Sequence, residues 1–115
     1  MSRNHTPILT LTIVATGTIV ADRFITPLGA QAVADANTLG VSRVAGVSGD
    51  KLTVDVDGTA VVETGAAITV GQTLKVDASG RAIPWVTAGA RVGIALEAAS
   101  ATGQFIEVRL IQNAV

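Results

Sequence analysis

Cysteine is absent from this chain of 115 residues, and aromatic residues are scarce. Without cysteine the chain can form no disulfide bond, no thiolate nucleophile and no thiolate metal site. The only aromatic residues are Phe24, Trp85 and Phe105. Because aliphatic side chains bury less area than aromatic ones, an aliphatic core stabilises one domain of this size only modestly. We therefore expect burial against other subunits to complete the stability.

The chain has neither a basic patch nor a long apolar run. Eight basic and nine acidic residues are interspersed, and the formal net charge is −1. This balance excludes nucleic acid as a partner, because phosphate binding needs clustered positive charge. No apolar run approaches the roughly 20 residues of a membrane-spanning helix, so no membrane partner is predicted. The stretch Pro7–Ala15 resembles a signal peptide faintly, but its alternating threonines favour a strand of the mature protein.

Catalytic and metal-binding patterns are also missing. His5 is the only histidine, so it has no second imidazole to share a metal and no scaffold to position it as a base. No nucleophile elbow, phosphate loop or dinucleotide fingerprint is present. Asp50, Asp55 and Asp57 could share a calcium ion, but an acidic solvent-facing surface is the commoner explanation of such spacing. The sequence predicts no enzyme activity, no cofactor and no metal.

Apolar and polar residues alternate along much of the chain, which is typical of β-strands. The clearest examples are Ile8–Val14, Lys51–Asp57, Thr73–Asp77, Arg91–Leu96 and Gln104–Ile111. In the second of these, the aspartates are expected to face solvent, opposite a row of leucine and valine. Side-chain alternation of this kind gives each strand one apolar face and one polar face.

Turn signals separate these runs. Asp57-Gly58 predicts a hairpin, and Asp77–Gly80 predicts a type I turn. A further strand is predicted over Thr18–Thr26. The alanine-rich stretch Ala30–Thr38 lacks an apolar stripe at helical spacing, so a strand and a turn at Asp35–Asn37 are favoured over a helix. The fold class is therefore all-β, with about eight to ten short strands in a barrel or a sandwich.

A weak internal repeat relates the two halves of the chain. The matching residues are Gly40-Val41 with Gly93-Ile94, Ala45 with Ala98, Ser48-Gly49 with Thr102-Gly103, and Leu52–Val54 with Ile106–Val108. A duplicated β unit that closes on itself makes a small barrel without exposed edges. Coincidence of turn chemistry explains a repeat of this length equally well.

The first residues differ from the remainder. Met1–Pro7 is polar and aperiodic, which predicts a flexible arm, followed by a single β domain over residues 8–115. An arm that leads into the strand Ile8–Val14 can add a strand to the sheet of a partner. A frayed terminus without a role is an equally common explanation.

Trp85 is the most informative single side chain. It lies between Pro84 and Val86, in a loop between two alternating runs. A lone tryptophan in a small aliphatic domain often fills the core. Because tryptophan is also enriched at protein interfaces, Pro84, Trp85 and Val86 form a candidate subunit interface.

The run Ala66–Ala82 (AAITVGQTLKVDASGRA) resembles the centre of the small capsid cement, or head decoration, proteins of tailed bacteriophages. Val92–Ala99 and Ile106–Leu110 fit the same pattern, and Gly17–Thr26 fits it more loosely. The resemblance covers most of the chain from about Gly17 onward. It rests on strand and turn signatures and includes no catalytic motif.

The resemblance implies a small β-barrel or β-tulip-like domain on the outer surface of a phage head. Such proteins typically form trimers that clamp neighbouring major capsid subunits after the head expands. Their arms commonly pair with capsid elements, and by position that role falls to the residues of one segment: Arg3, Asn4, His5, Thr6, Pro7 and Ile8. The implied partners are the major capsid protein and other copies of this chain.

Another class of protein fits the same features. A tail or baseplate module, or a surface adhesin, could bind carbohydrate through loops between the strands. Sugar-binding platforms usually need several exposed aromatic rings, and Trp85 is nearly alone. The scarcity of aromatic residues therefore favours the cement protein.

Overall fold

Eight strands form one sheet of antiparallel strands in the computed structural model, which describes residues 6–111. They are β1 (Thr6–Val14), β2 (Arg23–Ile25), β3 (Gly40–Ser42), β4 (Lys51–Glu63), β5 (Thr73–Val76), β6 (Ala82–Pro84), β7 (Gly93–Ala95) and β8 (Phe105–Leu110). The strand order is β2-β3-β4-β8-β7-β5-β6, and β1 pairs with β4 beside this path. No helix occurs between residues 6 and 111, so none there could cross a membrane. The predicted all-β class is confirmed.

The sheet curves into a nearly closed barrel. Its two ends approach each other where the Phe24 amide of β2 donates to the Gly80 carbonyl, just before β6, at 2.9 Å. Next to this contact, Thr64 forms a parallel bridge with Ala82 of β6. Because these contacts satisfy backbone groups at both ends of the strand order, the barrel keeps few free edges.

Strand β4 is the longest strand, and it corrects the prediction of a hairpin at Asp57-Gly58. β3 pairs with its first half, β8 pairs with its second half, and β1 runs beside both from Lys51 to Thr59. Gly58 has a φ of 93°, and the register with β1 shifts on either side of Leu9. The Asp-Gly pair therefore forms an irregularity within a continuous strand. A positive φ suits a bulge as well as a hairpin turn. Because β1 pairs with β4 on both sides of Asp57-Gly58, the structure here is a bulge and not a turn.

The internal repeat is confirmed by the hydrogen bonds. Ile19 and Gly46 exchange two backbone hydrogen bonds, as do Ile68 and Ala99. Ala15 bonds to Gly49 and Asp50 in the way that Thr64 bonds to Gly103 and Gln104. In each half the first strand thus pairs with the last. These pairs are β1 with β4 in the first half and β4 with β8 in the second. β4 is the last strand of the first half and the first strand of the second.

Two groups of buried side chains fill the barrel. The smaller group lies in the first half and comprises Ala15, Ile19, Ile25, Leu52, Val54 and Val56. The larger group spans both halves and contains Phe24, the only aromatic residue among the fully buried side chains of residues 6–111. The core is accordingly aliphatic, as the composition predicts.

Two predicted segments differ from the structure, one in its length and the other in the position of its turn. The strand expected over Thr18–Thr26 is limited to Arg23–Ile25, with an isolated bridge at Ile19. Ala30–Thr38 contains no helix, and its turn lies at Ala34 and Asp35, closed by the Ala36 amide on the Val33 carbonyl at 3.2 Å. Asp35 has a φ of 63°, a conformation that aspartate tolerates better than most residues.

Candidate interaction surfaces

Strand β1 has one open edge. It pairs with β4 alone among the strands of residues 6–111, and no charged side chain occurs from Thr6 to Ala15. Several of its apolar side chains reach solvent, above all Ile8, which is 85% exposed. Proteins usually protect an edge strand with charges, proline or a covering element. From residue 8 onward β1 has no such charge or proline, and no other strand of residues 6–111 pairs with its outer edge.

The segment predicted to bind a capsid divides at the start of this strand. Arg3, Asn4 and His5 lie outside the described residues. Thr6 and Pro7 already belong to β1, where they pair with Thr59 and Gly58. Ile8 has no partner residue on β4, because the register shifts between Pro7 and Leu9.

The predicted subunit interface comprises the last residue of β6 and the first two residues of the loop that follows it. Pro84 pairs with Leu74, and the Trp85 indole donates to the Gly89 carbonyl at 2.9 Å. The Arg91 guanidinium lies over the indole ring, 4.1 Å from its centroid, which allows a cation–π interaction. Trp85 is therefore a half-buried residue of a loop and not a member of the core. Val86 beside it is 70% exposed.

The turn around Asp35 contacts this loop and stabilises it. Asp35 forms a 2.9 Å ion pair with Lys75, and its carbonyl accepts from the Ala90 amide at 3.3 Å. Gly89 has a φ of 97°, and a Cβ atom there would lie 2.7 Å from the Asp35 carboxylate. Gly89 is thus required both for its backbone conformation and for this close approach. Contacts within the chain accordingly hold the Trp85 loop against the Asp35 turn.

The aspartates of β4 do not form the predicted solvent-facing acidic surface. Asp55 is fully buried, where Arg43 lies 2.9 Å from Oδ2 and the Thr10 hydroxyl donates to Oδ1 at 3.3 Å. The prediction was wrong because side chains of neighbouring segments cover this side of the strand. Asp50 caps its own turn by accepting from the Val47 amide at 2.9 Å. Residues 6–111 contain no cluster of acidic or histidine side chains suited to a metal ion.

Asp77 acts in a turn, as predicted. Its Oδ1 atom accepts from the amides of Ser79 and Arg81 at 2.8 and 2.9 Å, and Oδ2 pairs with the Arg81 guanidinium at 3.0 Å. The Gly80 amide donates to the Asp77 carbonyl and closes the turn. These bonds explain the Asp-Ala-Ser-Gly sequence without a ligand. No pocket is found among residues 6–111.

The comparison with known protein families involves nearly the whole chain. The sequence profile of the phage cement protein family matches residues 3–110. The chain belongs to the phage cement protein family. No curated protein sequence matches this cement protein. Its fold is similar to the crystal structure of the N base of head fiber gp8.5 of bacteriophage phi29, with a TM-score of 0.72 and 19% identity over 93% of this chain and 97% of that chain.

Family membership makes this cement protein a structural protein associated with the phage head. The resemblance of Ala66–Ala82 and the later segments to head decoration proteins is thereby confirmed. The Asp77 turn and the glycines that begin β3 and β7 have structural roles within these segments.

Sequence reasoning missed a second group of exposed aliphatic side chains on the cement protein. Val14 ends β1, and Leu28 and Val47 lie in two turns that bond to residues immediately after it. Leu28 is 80% exposed. Alternation along single strands cannot reveal such a group, because its members come from three separate segments.

Proposed function

We propose that this protein binds the outer surface of a phage head as a trimer and holds neighbouring major capsid subunits together after the head expands. The observation that carries the proposal is the open edge of β1. A nine-residue strand with an uncharged sequence and exposed aliphatic side chains is suited to pair with a partner through main-chain hydrogen bonds. Membership of the cement protein family supports the head as the location of that partner.

The physical mechanism is stabilisation by mass action. A protein that binds only the expanded lattice lowers its free energy by RT ln(1 + [L]/Kd) for each site. A trimer that contacts several capsid subunits makes the later contacts intramolecular, which raises the total affinity without any new type of contact. Contacts that cross subunit boundaries then resist the outward pressure of packaged DNA.

Two segments supply the contacts in this proposal. The segment Arg3–Ile8 binds the major capsid protein. The segment Pro84–Val86 forms part of the contact between copies, and the 70% exposure of Val86 supports this role. The Trp85 ring is less suited to stack on a sugar, as an adhesin would require, because Arg91 covers one of its faces.

The experiment compares heads that lack the protein with heads to which it has been added back. We expect decorated heads to retain their DNA at higher temperature and lower salt. Leu11→Lys, on the exposed edge strand, should reduce head binding by roughly tenfold or more, because a charge blunts an open edge. Thr53→Lys adds the same charge at an exposed position on the adjacent strand β4, and should bind as the wild type does. Equal stability of bare and decorated heads would contradict the proposal.

A further inference from the structure

Glu107 lies on the outer wall of the barrel and is nevertheless buried. Its neighbours along β8, Ile106 and Val108, belong to the core. Because side chains alternate along a strand, Glu107 points to the opposite face. It is 5% exposed, and its Oε1 atom is the one buried side-chain oxygen or nitrogen within residues 6–111 that has no hydrogen-bond partner there. Buried polar groups are almost always hydrogen-bonded, so this carboxylate requires an explanation.

The surroundings of Glu107 are aliphatic on both neighbouring strands. Val61 of β4 pairs with Glu107 and shares its face of the sheet, where it is 9% exposed. On the other side, the Leu96 amide donates to the Glu107 carbonyl at 3.0 Å. The Glu97 carboxylate accepts from the Glu107 amide at 2.8 Å. The site therefore combines two glutamates with aliphatic neighbours, and a positive group interacts strongly with a carboxylate in such weakly polar surroundings.

Glu107 has no ion pair with a basic side chain of residues 6–111. Four of those side chains form ion pairs with other carboxylates: Arg23, Arg43, Lys75 and Arg81. Arg91 lies over the Trp85 ring, and Lys51 begins β4, ten residues or about 33 Å from Val61. Arg109 shares the outer face of β8 and is exposed, yet it does not bond to Oε1. A cation for Glu107 therefore has to come from outside these residues.

The position of Glu107 is close to the segment proposed to contact the capsid. Thr6, the first residue of β1, pairs with Thr59 of β4, and Thr59 pairs across its other edge with Arg109. Glu107 is two residues from Arg109 along β8. Because neighbouring strands are about 4.8 Å apart, β1 and β8 lie about 10 Å apart across β4. A chain that contacts the beginning of β1 is therefore near enough to reach Glu107 with a long side chain.

We propose that Glu107 binds a lysine or arginine side chain of the major capsid protein when the cement protein is bound to the head. This inference rests on the proposed function and assigns one of its contacts. The incoming cation supplies the charge-assisted hydrogen bond that Oε1 lacks. The free protein bears the cost of an unpaired carboxylate, and the bound protein recovers it. Glu107 therefore lowers the stability of the free protein and raises its affinity for the head.

The first test measures stability and head binding on the same variant. Glu107→Gln keeps the shape of the side chain and removes its charge, so the Tm of the free protein should rise. Its dissociation constant for expanded heads that lack the protein should increase about tenfold, because a hydrogen bond to a charged group is stronger than one to an amide. Asp50→Asn is the matched control. It removes one exposed negative charge and keeps an oxygen that caps the Val47 amide, so both quantities should stay near those of the wild type.

A second set of variants identifies the source of the cation. Exposed lysines and arginines on the outer surface of the capsid protein are replaced by glutamine one at a time. One of these replacements should weaken binding of the wild type about tenfold and leave binding of Glu107→Gln unchanged, since both changes remove the same ion pair. If every capsid replacement affects the wild type and Glu107→Gln equally, the inference is overturned.

The remaining outcomes separate this inference from the proposed function. A Glu107→Gln variant that binds heads as tightly as the wild type overturns the inference and leaves head binding intact. A lower Tm for Glu107→Gln, matched by Arg3→Gln and not lowered further in the double variant, would assign the cation to Arg3 of the same chain and overturn the capsid as its source. A wild type that binds no head removes the proposed function together with this contact.

Discussion

Arg43 and Asp55 form an ion pair in which the carboxylate is fully buried and the guanidinium stays about one-third exposed, with Nε 2.9 Å from Oδ2. Thr10 of β1 donates to the other carboxylate oxygen at 3.3 Å. Asp55 lies in β4, and Arg43 directly follows β3. The Asp55 carboxylate of β4 therefore links β1 and the segment after β3 to this central strand.

Replacement of Arg43 tests the contribution of this ion pair. Arg43→Ala removes a positive charge next to a carboxylate that has no access to solvent. We expect a loss of about 3 kcal/mol in the free energy of unfolding, at the low end of the cost of breaking a buried pair because Arg43 is partly exposed. Thr10→Val removes only a long, neutral donor and should cost about 1 kcal/mol. Urea unfolding of both variants provides the comparison, and equal losses would contradict the special role of the charge.

Gly58 provides a test of the irregularity in β4. Its φ of 93° lies where a side chain is strained, so Gly58→Ala should destabilise the protein by about 1–2 kcal/mol. Gly17→Ala is the matched control, because Gly17 has no positive φ and an added Cβ would meet no atom within 4 Å. Thermal unfolding measures both changes. A Gly58 variant as stable as the control would show that β4 does not need this conformation.

The local sequence predicted most of the strands but not the path of β4. Alternation identified Thr73–Val76 and Phe105–Leu110 almost to the residue, because one face of each packs on the core. Asp57-Gly58 was misread because the same dipeptide suits a hairpin turn and a bulge. The choice depends on β1, whose pairing with β4 joins residues about 40 or more positions apart in the chain.

The candidate surfaces were predictable only in part. The loop position of Trp85 and Val86 followed from the turn signals around them, whereas Pro84 is the last residue of β6. The partial burial of Trp85 could not be predicted, since it depends on Gly89 and Arg91 folding back over the indole. The burial of Asp55 escaped prediction for a similar reason, because Arg43 and Thr10 reach it from other segments.

Glu107 gives a prediction about stability. It is 5% exposed, and its Oε1 atom has no hydrogen-bond partner within residues 6–111, while Glu97 accepts from its backbone amide at 2.8 Å. A buried carboxylate without full hydrogen bonding is costly, so Glu107→Gln should stabilise the protein by about 1 kcal/mol at neutral pH and raise the Tm by several degrees. Arg109→Gln, two residues along β8 and exposed, should leave the Tm unchanged. A lower Tm for Glu107→Gln would show that the carboxylate contributes to stability.

Trp85 offers a direct signal for the contact between copies. It is the only tryptophan and the chain has no tyrosine, so the fluorescence of the protein reports on this loop alone. If the loop lies at a subunit contact, dilution of the trimer should shift the emission to longer wavelength as the half-buried ring becomes more exposed to water. Arg91→Ala should produce a similar shift without dissociation, because it uncovers one face of the indole while Val86 remains in place. Mass measured at the same concentrations separates the two effects. An emission maximum that stays constant while the trimer dissociates would place the contact away from Pro84–Val86.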